Sequence, residues 1–139
     1  MRMEGGTFHD FFYQTFGNQP YPYQELVATE VLQDKNVVLV APTGAGKTWA
    51  ALAPFLYSKQ IGKPIADRVI YALPVRALAS SLHRSTKELV EKKFGLKVTL
   101  QMGNQPSDPF FQGDIVFTTI DQLLSAYIGL AYGTSSSSS

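Results

Sequence analysis

Short apolar runs alternate with helix-like stretches along this chain, and this alternation restricts the fold more than any other feature. The runs are NVVLVA at 36–41, RVIYAL at 68–73, KVTLQM at 97–102 and DIVFTT at 114–119. Helical periodicity lies between or after them, at 48–59, 75–94 and 121–130. Strands without polar alternation are typical of a parallel sheet covered by helices. The sequence therefore predicts an α/β fold with a mostly parallel sheet of about four strands.

Two further helices are predicted before the first run. Thr7 can cap the first helix, Asp10 completes a capping box and Gly17 ends the helix. Pro22 suits the first turn of the second helix, which Asn36 is expected to close. The aromatic side chains that share one side of the first helix, and that we expect to dock it onto the sheet, are Phe8, Phe11, Phe12 and Phe16.

Apolar spacing also predicts which faces of two helices are buried. For the second helix, the buried stripe is predicted to be Leu26, Val27, Val31 and Leu32. For the helix at 75–94, it is predicted to be Val75, Leu78, Ala79, Leu82, Leu89, Val90 and Phe94. We expect residues 1–133 to form the N-terminal part of one domain, with 1–23 as a helix and connector. The serine-rich end, 134–139, is expected to be flexible.

Composition excludes several classes of function. The chain has no cysteine, which excludes disulfides, thiol catalysis and cysteine metal sites. Its net charge is only +1, so any nucleic-acid contact must be local. No apolar run approaches the ~20 residues of a membrane span, and the N-terminus lacks the apolar centre of a signal peptide. A cytoplasmic protein is the expectation.

The sequence APTGAGKT at 41–48 joins an apolar run to a predicted helix, which is the setting of a phosphate-binding P-loop. Glycines at 44 and 46 allow backbone N–H groups to turn toward an anion, and the helix dipole favours negative charge there. Lys47 would reach the β- and γ-phosphates, and the Thr48 hydroxyl would bind Mg²⁺. The alternative is an ordinary glycine turn with an exposed lysine. The residues of this loop predicted to bind nucleotide are Thr43, Gly44, Ala45, Gly46, Lys47 and Thr48.

With alanine at its first position, this loop resembles motif I of superfamily 2 helicases. Gln24 resembles the glutamine that reads the adenine edge in many of these proteins. The segment LPVRALASSL resembles their motif Ia through Pro74 and Arg76, although Val75 stands where threonine is usual. The resemblance implies a RecA-like fold, ATP and Mg²⁺ as cofactors, and single-stranded DNA as a partner.

The segment DIVFTTIDQLL, at 114–124, resembles motif Ib of the CRISPR-associated helicase of type I systems. This resemblance implies that Thr118, Thr119 and Gln122 contact the strand, and that surveillance-complex subunits and a separate nuclease subunit are partners. Considered alone, Arg76 could be a solvated arginine at a helix start. Thr118 and Thr119 could likewise be ordinary strand-to-helix caps.

A strand that ends in an Asp-Glu pair, which hydrolysis of ATP requires, is not found in the sequence. We therefore expect a RecA-like domain truncated after about four strands, which binds nucleotide without hydrolysing it. His9-Asp10 resembles the pair of a metal-dependent nuclease, but we expect it to be part of the first helix. The alternatives are a fragment of another superfamily 2 DNA or RNA helicase, or a non-catalytic docking module of a larger complex.

Overall fold

The computed structural model describes residues 7–35, 46–102, 105–106, 112–126 and 128. The chain divides into two units, residues 1–67 and 68–139. The predicted strand at 36–41, the predicted end of the second helix at Asn36 and the predicted domain boundary at 133 lie outside the described residues.

The described residues of the first unit form the helices α1 (Phe8–Phe16), α2 (Pro22–Leu32) and α3 (Lys47–Gln60). The predicted caps of α1 are confirmed, because the Thr7 hydroxyl accepts the N–H of Asp10 and Gly17 ends the helix with φ of 83°. Pro22 is the first residue of α2, as predicted. Ser58, fully buried near the end of α3, donates to the carbonyl of Phe55 and accepts the N–H of Ile65. The chain that leaves α3 is thereby held against this helix.

Aromatic rings join α1 to α3. The Phe16 ring lies 4.6 Å from the ring of Trp49, and the rings of Phe8 and Phe11 lie 5.7 and 5.4 Å from Tyr57, between centroids. Tilted and edge-to-face pairs at these distances are favourable beyond the area they bury. The shared apolar side of α1 is thus confirmed, and within the first unit it packs against α3; its docking onto the sheet stays a prediction.

The second unit contains the sheet and a long helix. Its elements are β1 (Val69–Leu73), α4 (Arg76–Phe94), β2 (Val98–Met102), β3 (Gln105–Pro106) and β4 (Ile115–Thr119). The strand order is β1-β4-β2-β3, and β4 pairs in parallel with both β1 and β2. Every residue of β4 is buried, as expected for the central strand of a sheet covered on its faces. The predicted parallel α/β architecture is therefore present, and residues 120–126 after β4 are helical.

The antiparallel pair of β2 with β3 was not predicted. It is two residues long and pairs Met102 with Gln105 and Gln101 with Pro106. A two-residue strand that contains proline has neither the length nor the alternation by which strands are recognised in a sequence.

The predicted buried stripes of α2 and α4 are confirmed in part, because Val27, Ala79 and Val90 are buried. In α2 the buried residues are Gln24, Val27 and Ala28, while Leu26 is 63% exposed. In α4 they are Ala79, Thr86 and Val90, while Leu78 is exposed and Val75 is the exposed N-cap. In each helix a polar residue also takes a place in the buried stripe, Gln24 in α2 and Thr86 in α4, which apolar spacing alone does not indicate.

Within the described ranges, every helix is too short or too polar to cross a bilayer.

The position of Phe117 at the centre of the sheet predicts a large loss of stability on truncation. Phe117 is fully buried in β4, so Phe117→Ala should lower the free energy of unfolding by about 3–5 kcal/mol. Urea unfolding followed by circular dichroism measures the change. Tyr13→Ala, at an exposed position of α1, is the control and should change the free energy by about 0.5 kcal/mol or less. Equal losses in the two variants would contradict the burial of Phe117.

Candidate nucleotide and nucleic-acid sites

Gly46, Lys47 and Thr48 form the N-terminal end of α3. Gly46 is the N-cap in the left-handed conformation, with φ of 81° and ψ of 26°, and Lys47 and Thr48 are partly exposed. Because glycine has no side chain, the cap residue itself leaves the first N–H groups of α3 uncovered, at the end where the helix dipole is positive. These three residues therefore lie where an anion is favoured. Thr43, Gly44 and Ala45, the other predicted loop residues, lie outside the described residues.

Gln24 connects this helix end to α2. The side chain is only 3% exposed, and its Nε2 donates to the carbonyl oxygen of Gly46 at 3.0 Å. Its Oε1 accepts the backbone N–H of Tyr21 at 2.8 Å, which caps the N-terminus of α2. The structure thus brings together two predicted nucleotide-binding residues that are 22 positions apart in the chain. The adenine-reading role of Gln24 stays a prediction.

A cavity of about 450 Å³ opens beside this contact. Its walls combine aromatic rings with amide side chains, and they are Phe12, Phe16, Asn18, Gln19, Tyr21, Gln24, Gly46 and Trp49. Flat apolar walls with a few amides suit a planar ring that carries hydrogen-bonding groups on its edge. Trp49 was not predicted from the sequence as a residue of this site, although its position directly after Thr48 in the predicted phosphate-binding motif could have indicated it.

Tyr23 lies close to the same glycine. Burial raises the pKa of the Tyr23 phenol, and the neighbouring phenol of Tyr21, whose ring stacks on it at 6.1 Å, raises it further. An ordinary phenol is already protonated at neutral pH, and the raised pKa moves ionisation of Tyr23 further from that range. Tyr23 therefore adds no negative charge near the end of α3, which is compatible with an anionic ligand there.

The predicted nucleic-acid residues lie in the second unit, where β1 and β4 end. Leu73, the last residue of β1, pairs in register with Thr119, the last residue of β4. Pro74 and Arg76, which follow β1, therefore lie at the edge where β4 also ends. Pro74 and Arg76 are exposed, and Gln122 is half-buried. The structure therefore gathers Pro74, Arg76, Thr119 and Gln122 at one edge of the sheet, as the carboxyl ends of parallel strands require.

The two threonine hydroxyls at this edge already have partners. Thr118 is fully buried and its Oγ1 donates to the carbonyl oxygen of Gln101 at 2.8 Å. The Thr119 Oγ1 accepts the N–H of Gln122 at 3.2 Å and so caps the helical segment 120–126. Both side chains thus have a structural role, and their contact with nucleic acid stays a prediction.

His9, the first residue of the pair that resembles a nuclease motif, links two helices. Its Nδ1 lies 2.6 Å from the Oε2 of Glu25, which joins α1 to α2. In the part of the chain that the structure describes, no group of three or more histidine and acidic side chains gathers as metal ligands would. His83, on α4, lies edge-on to Phe117, and burial lowers its pKa, which favours the neutral imidazole.

Comparison with known proteins gives a family match for most of the chain. Residues 21–136 match the model of the DEAD/DEAH box helicase family. A yeast relative, the ATP-dependent RNA helicase DBP10 of Vanderwaltozyma polyspora, is 33% identical over 93 residues, which cover 66% of this chain and 10% of that protein. A bacterial relative, the CRISPR-associated endonuclease/helicase Cas3 of Escherichia coli, is 45% identical over 67 residues, 48% of this chain and 7% of that protein. The chain therefore corresponds to a small part of each relative.

A solved structure shares the fold. It is a hypothetical ATP-dependent RNA helicase from Sulfolobus tokodaii, with a TM-score of 0.65 and 23% sequence identity. The match covers 91% of this chain and 36% of that one. The predicted RecA-like fold is confirmed by this likeness together with the parallel sheet.

The contact between Gly46 and Gln24 can be tested by adding one methyl group. A Cβ on Gly46 would lie 2.6 Å from Gln24 Nε2, whereas a Cβ on Gly62, at a similar φ of 77°, would meet nothing within 4 Å. Both Gly46→Ala and Gly62→Ala should lower the free energy of unfolding by about 1–2 kcal/mol, because alanine is strained in the left-handed conformation. Only Gly46→Ala should also break the Gln24 hydrogen bond, for an additional loss of about 1 kcal/mol in the free energy of unfolding.

Urea unfolding of the two alanine variants measures this difference, and a Gln24→Ala background is the control. The excess loss of Gly46→Ala should vanish in that background, because the bond is already absent. An excess that persists there would show that the cost arises from another contact.

Proposed function

Because this chain belongs to the DEAD/DEAH box helicase family, we propose that it supplies the ATP-binding part and part of the nucleic-acid path of a superfamily 2 helicase motor. One observation carries the proposal. The predicted phosphate-binding residues Gly46, Lys47 and Thr48 begin a helix of 14 residues, and Gln24 ties this helix end to an aromatic cavity. A site for phosphates thus adjoins a site for a planar base.

The phosphates of ATP are proposed to bind at the N-terminus of α3. The uncovered N–H groups and the helix dipole attract the anion, and Lys47 adds a charge-assisted hydrogen bond. Loop residues Thr43, Gly44 and Ala45 are proposed to continue this cradle. The Thr48 hydroxyl suits one oxygen ligand of Mg²⁺, an ion that neutralises phosphate charge when bound.

The base of ATP is proposed to occupy the cavity beside Gln24. The volume of about 450 Å³ lies in the range of small-molecule sites, and aromatic walls provide stacking. The base and phosphate sites are contiguous, because Gly46 and Trp49 line the cavity while Lys47 and Thr48 lie between them in the chain.

Single-stranded nucleic acid is proposed to bind at the edge of the sheet where β1 and β4 end. Arg76 is exposed and can pair with a phosphate through its guanidinium group. Pro74 and Gln122 adjoin it. Thr118 and Thr119 are proposed to contribute by holding the end of β4 in place, because their hydroxyls are bonded within the protein. Contacts of this kind go to phosphates and do not read sequence.

For the complete protein, we favour ATP-driven translocation on DNA in CRISPR interference. The support is the segment TTIDQLL and the 45% identity to the Cas3 protein. Surveillance-complex subunits and a separate nuclease subunit would then be its partners. The match to an RNA helicase favours a second candidate, translocation on RNA, and the choice between the two requires measurement.

Removal of the Lys47 charge tests the nucleotide site. Lys47→Ala should weaken ATP binding by about 1.5–3 kcal/mol, roughly 10- to 150-fold, because a hydrogen bond to a charged phosphate is lost. Equilibrium titration with Mg²⁺-ATP measures the affinity. Lys63→Ala, an exposed lysine after α3, is the matched control and should bind as the unmodified chain does. Equal affinities of all three proteins would refute the assignment of Lys47.

Removal of the Arg76 charge tests the nucleic-acid edge. Arg76→Ala should weaken binding of single-stranded oligonucleotides and reduce the slope of log affinity against log salt by about 1, because one phosphate contact is lost. Fluorescence anisotropy with DNA and RNA oligonucleotides of the same sequence measures both quantities. Arg84→Ala, exposed on the same helix, is the control. The same salt slope in Arg76→Ala as in the control would place the strand elsewhere, and tighter binding of RNA would favour the second candidate.

A further inference from the structure

Aromatic contacts from α1 hold α3 at two places along its length. Near the start of α3, the ring of Trp49 lies 4.6 Å from that of Phe16, which is the last residue of α1. Further along α3, the Tyr57 ring lies 5.7 and 5.4 Å from the rings of Phe8 and Phe11, in the first half of α1. The two helices therefore run in opposite directions, and α1 bridges the part of α3 between these contacts.

A proline interrupts α3 between the two contacts. Pro54 lies in the interior of the helix and is fully buried. Because proline has no N–H, the helical hydrogen bond to the carbonyl oxygen of Ala50 cannot form, and the proline ring crowds that carbonyl. Sharp bends in helices occur at such positions. The parts of α3 before and after Pro54 are therefore joined less stiffly than those of an uninterrupted helix.

The two parts of α3 differ in how firmly they are held. After the proline, Phe55, Leu56 and Ser58 are all fully buried, and Ser58 also binds the chain that leaves the helix. The first turn, at 47–49, is only partly buried. This turn contains the residues proposed to bind phosphate, and a change of angle at the proline would displace it.

The rings of α1 form a continuous row between the two contacts. Phe8 lies 5.9 Å from Phe12, and Phe12 lies 4.5 Å from Phe16, between ring centroids. Together with Tyr57 and Trp49, these rings connect the second part of α3 to its first turn by a path that bypasses the proline. Aromatic pairs are most favourable in a limited range of distances and orientations, so this row resists a change of angle.

We propose that α1 keeps the two parts of α3 aligned across Pro54, and that Tyr57 is thereby a positioning residue for the nucleotide site. Tyr57 is about 15 Å from Lys47 along the helix, and it is not among the described residues that line the aromatic cavity. The inference rests on the proposed ATP site. It adds a residue outside that site on which the position of the phosphate-binding turn depends.

Substitutions on both sides of this contact test the inference in the full 139-residue chain. Tyr57→Ala and Tyr57→Leu remove the ring, the second with less loss of apolar volume, and Tyr57→Phe keeps it. Pro54→Ala restores the missing N–H, alone and combined with each ring-removing variant. Tyr13→Ala, at an exposed position of α1, is the control.

Three quantities are measured for every variant. Calorimetric titration gives the affinities for Mg²⁺-ATP and for tripolyphosphate. Acrylamide quenching without ligand reports the exposure of Trp49, which is the only tryptophan of the chain. Urea unfolding gives the free energy of unfolding and establishes that each variant is folded where binding is measured.

Tyr57→Ala and Tyr57→Leu should bind ATP and tripolyphosphate about three- to tenfold more weakly, with stronger quenching of Trp49, because the first turn of α3 is no longer held. Tyr57→Phe and Tyr13→Ala should match the unmodified chain. In the Pro54→Ala background, removal of the ring should change neither binding nor quenching, because the restored helical hydrogen bond fixes the turn directly. It should still lower the free energy of unfolding, since the ring contacts are lost in either background.

Two results would overturn the inference while leaving the ATP site in place. They are unchanged binding and quenching in both ring-removing variants, or losses of binding that persist in the Pro54→Ala background, as a general loss of stability would produce. A failure of the proposed function looks different. In that case no variant would bind ATP or tripolyphosphate, while the quenching of Trp49 would still depend on residues 54 and 57 as expected.

Discussion

A buried amide has to find partners, and in this chain that requirement organises the proposed nucleotide site. Gln24 lies in the buried stripe of α2, where an unpaired amide would cost roughly 1–3 kcal/mol. Its two polar atoms find partners at the start of α2 and at the cap of α3. Glycine at position 46 allows the amide to come this close, because any side chain there would collide with it. The position of the N-terminal end of α3, where phosphate binding is proposed, and the wall of the cavity both depend on this contact.

Much of the fold follows from local rules that act on neighbouring residues. The caps of α1 at Thr7 and Gly17 were predictable, because each uses a side chain or a glycine within one turn of the helix. The strands β1, β2 and β4 were predictable from apolar runs, within one residue of their ends. The loop around Lys47 was recognisable because its glycines, lysine and threonine occur at the fixed spacings of the motif. These features need no knowledge of what the segments pack against.

The remainder depends on tertiary contacts that a linear pattern does not contain. The sequence gives no sign that Trp49 faces Phe16, or that Gln24 reaches a carbonyl oxygen 22 residues away. For the same reason the predicted buried stripes of α2 and α4 omitted Gln24 and Thr86, which are polar residues buried by their surroundings. The sequence also could not separate a ligand-binding hydroxyl from a structural one. Thr118 fits a motif by its position, yet its hydroxyl serves the sheet by bonding to Gln101.

The edge of the sheet where nucleic acid is proposed to bind carries few charged groups. The net charge of the chain is +1, and part of the basic side of α4 is neutralised locally. Lys87 pairs with Glu91 at 3.0 Å, and hydrogen bonds from the Val98 N–H and from Lys87 lower the pKa of the Glu91 carboxyl, which keeps it ionised at neutral pH. Arg76 is instead exposed at the start of the helix, beside the carboxyl ends of β1 and β4. If nucleic acid binds at this edge as proposed, the attraction rests on few phosphate contacts and is therefore weak and sensitive to salt.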